Sequence, residues 1–178
     1  MQAILPNLRP IPHTPLVFTA CTNRAIGDVS RDTVHQLETI ANSARKAANS
    51  LACSSILVGQ GNESDEWDDV AVWMGPGRYD TPEEVLEALG LRRDAETQAV
   101  PLTPSGFTES TLRVPDNQSP GAEIEEYVRA VGKLGDRRCF RTSLPGRGDA
   151  VVLFVLVGRL ESGSDGWGAL VGAGVWSD

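Results

Sequence analysis

The sequence predicts a mixed α/β (α+β) fold in which helices surround a sheet that ends in an antiparallel hairpin. Three observations carry this reading. Apolar residues recur at helical spacing after Ser30, and a capping signature opens at Thr81. The most apolar run of the chain, Val151 to Gly158, is followed by turn residues and a second strand-like segment. With 178 residues, 40% of them apolar, the chain has material for one sizeable core, while 18 glycines and 11 prolines predict many connections.

Residues 1–29 read as an irregular, Pro-rich arm, because Pro6, Pro10, Pro12 and Pro15 prevent a helix. Leu16, Val17 and Phe18 are its docking point. The domain proper is expected over residues 30–178. Ser30 caps a helix running to about Leu51, with Val34, Leu37, Ile40, Ala41, Ala44, Ala48 and Leu51 on one face. After the short apolar run Ile56-Leu57-Val58 and a polar stretch to Asp69, Val70 to Trp73 reads as a strand ended by Gly75-Pro76-Gly77. Thr81-Pro82-Glu83-Glu84 is a capping box with Pro at the first helical position, opening a short helix that Gly90 stops.

Residues 98–102 are a further candidate strand, and Pro104, Pro115 and Pro120 mark a long loop beyond it. A third helix begins at Ser119-Pro120, has Ile124, Tyr127, Val128, Val131 and Leu134 as its apolar face, and stops at Gly135. Arg138 to Leu144 is a strand, and Val151 to Gly158 is a buried central one. Ser162 to Gly166 is turn chemistry, so Trp167 to Trp176 returns as the hairpin partner.

Charge and residue counts narrow the function. A net charge of -8 sets the surface against a phosphate backbone, so no direct nucleic-acid binding is expected, and favours a basic protein partner. Cys21, Cys53 and Cys139 are scattered, which argues against a disulfide framework and a structural zinc site. The first residues do not form a secretory signal, and no window supplies the ~18 apolar residues that span a bilayer. A cytoplasmic protein that binds no membrane is expected.

No catalytic constellation is legible. His13 and His35 lie far apart in sequence and form no metal-binding spacing. Neither GxSxG nor a phosphate-loop motif occurs. The arginines 137, 138, 141 and 147 read as a solvated strand face. The expectation is a protein without enzymatic activity and without a cofactor.

The unusual segment is Asn62-Glu63-Ser64-Asp65-Glu66-Trp67-Asp68-Asp69. Five carboxylates fall within seven residues around a tryptophan. Like charges so close repel, so the chain should hold them outward, where they can approach a hard cation or imitate a polyanion. Trp67 is the expected interface anchor. The terminal Trp176-Ser177-Asp178 puts a side-chain carboxylate beside the α-carboxylate, and Trp176 argues that this tip packs against something.

These blocks together resemble the nuclease A inhibitor family. An amphipathic helix leads to Asn62-Glu63-Ser64-Asp65-Glu66 and Val70-Ala71-Val72-Trp73-Met74-Gly75, where the family has an acidic Ser-Glu-Ser-Glu turn and a strand ending Trp-x-Gly. The helix from Glu83 to Leu89, then Ala99-Val100, forms the second block. Val155-Leu156-Val157-Gly158-Arg159 and Gly168-Ala169-Leu170 form the third. The resemblance covers residues 30–178 discontinuously.

It implies a three-layer α/β/α sandwich with a largely antiparallel sheet, monomeric alone, that plugs the cleft of a sugar-nonspecific ββα-metal nuclease. Glu63 matches the glutamate directed at the nuclease magnesium. Asp178 stands where the family ends in threonine, so Glu63 and Asp178 would meet metal only through that partner. Asp65, Glu66, Asp68 and Asp69 would pair with basic cleft residues, with Trp67 and Trp176 in apolar contact. The alternative is a protein-interaction or regulatory scaffold of the same fold that binds a non-nuclease partner.

Overall fold

Proline and short apolar runs decide how the sheet begins. The computed structural model describes residues 5, 7–20, 29–59, 67–91, 99–102, 121–144, 150–161 and 166–176, with backbone alone at 99–102, 150 and 176. Within residues 1–29 it forms two strands, β1 (Leu8–Pro10) and β2 (Val17–Ala20), joined through an antiparallel ladder. β2 then runs parallel to β3 (Val70–Pro76), and the Ala71 amide donates to the Leu16 carbonyl. The expected irregular arm is thus corrected. Its prolines exclude helix but not short edge pairing, and the buried Leu5, Leu8, Val17, Phe18 and Ala20 hold it to the body.

The helix α1 (Arg31–Ser50) starts where expected, with the Ser30 hydroxyl accepting from the Thr33 amide at 3.1 Å. Its buried face is Leu37, Ile40, Ala41, Ala44, Ala47 and Ala48. Helix α2 (Pro82–Ala88) has both arms of its capping box in place, between Thr81 and Glu84. Gly90 beyond it takes the left-handed conformation, φ +76°. β4 (Ala99–Leu102) and helix α3 (Ala122–Gly132) follow. α3 is capped by Gly121 without a side-chain bond, while its expected start at Ser119-Pro120 lies outside the described residues. Gly135 does not end it: Lys133 is the cap, and Gly135 already opens β5 (Gly135–Leu144).

The last two strands, β6 (Ala150–Arg159) and β7 (Gly166–Trp176), form a long antiparallel hairpin from Arg159↔Trp167 to Ala150↔Trp176. Among the described residues the sheet has seven strands in the order β1-β2-β3-β7-β6-β5-β4, antiparallel except for the β2–β3 pair. It is the mixed, largely antiparallel sheet with a C-terminal hairpin that the sequence predicts. β1 and β4 are its margins, and each contains a proline, Pro10 and Pro101.

Alternation along the strands divides the core in two. Ala71, Trp73, Phe154, Leu156 and Leu170 face α1 and α3, whose Ile124, Tyr127, Ala130 and Val131 complete that core. Val70, Val72, Met74, Leu153, Val155, Val157, Ala169 and Val171 form the other, with Leu5, Leu8 and the α2 residues Val85, Leu86 and Leu89. The β7 residues in register with Leu170 include Gly168 and Gly172. A Cβ at Gly168 would lie 2.8 Å from Leu37 of α1, so the helix sits closer than any side chain there would allow.

Candidate functional site

The acidic segment enters the described structure at Trp67 and runs directly into β3. Asp68 is exposed, and Trp67 is half-buried against the core that holds α2. Part of the Trp67 ring is therefore already engaged in packing. Glu63, Asp65, Glu66 and Asp178 lie outside the described residues, and Trp176 is described by its backbone alone, as the last residue of β7 opposite Ala150.

Asp69 corrects the sequence reading. It is 1% exposed, not turned outward, and serves no partner from solution. The Ser55 hydroxyl donates to its Oδ1 at 2.5 Å, and the Ile56 and Leu57 amides donate to Oδ2 at 2.7 and 3.4 Å. The Ser55 Oγ in turn accepts from the Val58 amide at 3.1 Å. One carboxylate thereby satisfies the backbone of the buried turn Ile56-Leu57-Val58, which otherwise would leave donors unpaired away from water.

Across the sheet stands Gly172, where a Cβ would fall 2.4 Å from Asp69 Oδ1 and 2.7 Å from Ser55 Oγ. The glycine makes the room that the carboxylate occupies. Burial pushes the Asp69 carboxyl up to about 7, outweighing the bonds from Ser55, Ile56 and Leu57 that favour its charged form, and Asp68 adds a smaller push in the same direction. On α3, burial likewise raises the Tyr127 phenol well above its ordinary value, with Asp69 a second cause.

The Asp69 anchor fixes both ends of the acidic segment. Residues 55–58 and residue 69 are tied to one another, so the chain on either side of the acidic segment is held at one place. That place lies at the end of the sheet toward which β7 runs. Val70 pairs with Val171, and β7 continues five residues further to Trp176, about 17 Å at strand rise. The described residues next to the two blocks singled out in the sequence, Asp68–Val70 and Gly172–Trp176, thus lie at the same end of the sheet.

The opposite end carries arginines. Arg138 donates to Asp80 Oδ1 at 2.9 Å and to the Tyr79 carbonyl at 3.2 Å, with its guanidinium 5.5 Å from the centre of the Trp167 ring. Arg159 stands at the same distance from that ring and pairs with Asp136 at 3.4 Å. Tyr79 meets Trp167 edge-on at 5.8 Å, and its hydroxyl donates to the Met74 carbonyl. Arg141 is the solvated strand residue the sequence suggests. Arg138 is not: it is a structural clamp, half-buried, and nothing in its sequence neighbourhood announces the Trp167 face it covers.

His13 and His35 are exposed, and among the described residues no three His, Cys, Asp or Glu side chains converge as a metal set. Cys139 is a buried free thiol, and burial pushes it up to about 12. That environment favours the neutral thiol rather than the nucleophilic thiolate. Among the described residues no helix is long and apolar enough to cross a membrane. Comparisons with protein-family models, with curated proteins and with solved structures return no match.

Proposed function

We propose that this chain is a non-enzymatic inhibitor that plugs the cleft of a sugar-nonspecific ββα-metal nuclease, with Glu63 directed at the nuclease magnesium. One observation supports the reading above the others: the exit of the acidic segment and the end of β7 share one end of the sheet. A carboxylate-bearing surface at such an end suits a cleft built for phosphates and magnesium. Asp65, Glu66 and Asp68 pair with basic cleft residues in this reading, Trp67 and Trp176 supply apolar contact, and Asp69 holds the segment's base. Desolvating these charges is costly, so tight binding requires a partner for each.

The test is DNA cleavage by a ββα-metal nuclease in magnesium, titrated with this protein. Stoichiometric inhibition is expected, weakened by at least about tenfold, or ~1.4 kcal/mol, in Glu63→Ala and on removal of Ser177 and Asp178. Circular dichroism of both variants should match the parent. Full inhibition by both variants would sink the plug. The ending Trp176-Ser177-Asp178, where the resembled family has Val-Glu-Thr, favours a second reading, a scaffold of the same architecture for another protein. Capture of the nuclease without loss of its activity would select that reading.

A further inference from the structure

Helices α1 and α3 run antiparallel, and their unequal lengths leave a step between them. Lys46 of α1 pairs with Glu126 of α3 at 3.0 Å. From that pair, Ala130 and Lys133 extend the same stripe of α3, while Thr39 and Asp32 extend the facing stripe of α1 in the opposite direction. α3 ends at Gly132, with Lys133 as its cap, and α1 continues past it to Arg31. The step holds a cleft of about 280 Å³. Its floor is apolar, formed by Ile40 and Ala130, which are 2% and 5% exposed. Its rim carries the charged residues Asp32, Lys133 and Glu161, and His35, Gln36 and Thr39 complete the wall. Glu161 reaches the cleft because the preceding Leu160 packs beside Leu37 of α1, both closing on Gly168.

The rim charges are unmatched. Lys46 and Glu126 show that charges meet across these helices where they are level. Asp32, Lys133 and Glu161 are exposed and in no ion pair among the described residues. Spacing keeps Asp32 from Lys133: Thr39 stands level with Lys133, and Asp32 lies two turns, about 10 Å, further along α1. Two carboxylates and one ammonium are thus left open around an apolar floor. A complementary occupant carries two cations and one carboxylate on an aliphatic stem that can lie on Ile40 and Ala130. The volume falls just below the roughly 300–1,000 Å³ of pockets that hold drug-sized ligands, which limits the occupant to the size of one free amino acid. We infer that this cleft is a binding site for a basic α-amino acid, with its carboxylate at Lys133 and its side-chain cation at Asp32. That arrangement leaves Glu161 to meet the α-ammonium. The site uses none of the residues assigned to nuclease contact and stands whether or not that reading does.

The experiment is a calorimetric titration of the whole protein with L-lysine at constant ionic strength. Cadaverine, which is lysine without the carboxylate, and L-norleucine, which lacks the side-chain ammonium, are titrated in parallel. Saturable one-to-one binding of lysine is expected with a dissociation constant on the order of 1 mM, as suits so small a ligand. Cadaverine and norleucine should each bind at least about tenfold more weakly. Lys133→Gln should weaken lysine by a similar factor and remove its advantage over cadaverine, and Asp32→Asn should remove its advantage over norleucine. Lys46→Gln, at the other lysine of the same helix pair, should leave binding unchanged. Absence of saturation by about 10 mM lysine, equal binding of either analogue, or equal losses in the two lysine variants would each overturn the assignment.

Discussion

Asp69 illustrates how one buried residue can reverse the meaning of a sequence signal. In the sequence it closes a run of carboxylates and reads as the last of five outward charges. In the fold it is buried, accepting from Ser55, Ile56 and Leu57 in the space left by Gly172. Nothing local separates it from Asp68, since the difference comes from residues more than ten positions away on each side. Its titration has a defined sign. The unfolded carboxyl loses its proton near 3.8 and the folded one at about 7. Between those values the folded state holds a proton that the unfolded state has released, so the stability this group contributes declines as pH rises through that window.

The expected slope for the one group is at most about 1.4 kcal/mol per pH unit. Urea unfolding of the parent and of Asp69→Asn at pH 5 and at pH 8 measures it. The neutral amide should flatten the difference, and an unchanged difference would assign the pH dependence to other groups.

At the scale of elements, the sequence was legible wherever one local signal determines one structure. The Ser30 cap, the Thr81–Glu84 capping box and the apolar run of β6 each specify their element without help from distant residues. β1 and β2 were not legible as strands, because three and four residues are too short for alternation to register. Their pairing depends on β3, more than fifty residues further along the chain. The short α2 depends most on its own cap. Thr81→Ala removes the hydroxyl that accepts from the Glu84 amide and should cost about 1 kcal/mol, read as a lower midpoint in urea unfolding. Pro82 at the start of the helix keeps the backbone bias toward helix in that variant.

The described residues form one sheet with a core on each face, and the segment Leu8–Ala20 is part of it. Removing residues 1–20 deletes two strands and exposes the edge of β3 together with the buried partners of Leu5, Leu8 and Phe18. Loss of the four buried side chains Leu5, Leu8, Val17 and Phe18, at about 1.5–3 kcal/mol each, is of the order of the stability of an ordinary domain. A truncated chain should therefore unfold well below the temperature of the parent, by differential scanning calorimetry. An unshifted transition would show that the sheet tolerates their absence. The candidate functional ends were only half legible at this scale. The sequence supplied the acidic residues and the terminal tryptophan, but their common end follows from the β3–β7 ladder, which no local pattern announces.

The margins of the sheet have a bearing on how the protein behaves in company. A strand arriving from another molecule needs a run of unpaired amides and carbonyls to zip against. Among the described residues one margin offers three residues and the other four, and each includes a proline with no amide hydrogen to give. Edge-to-edge growth into fibrils, and capture by partners that recognise their targets through an added strand, are both disfavoured. Concentrated solutions should stay free of β-polymer.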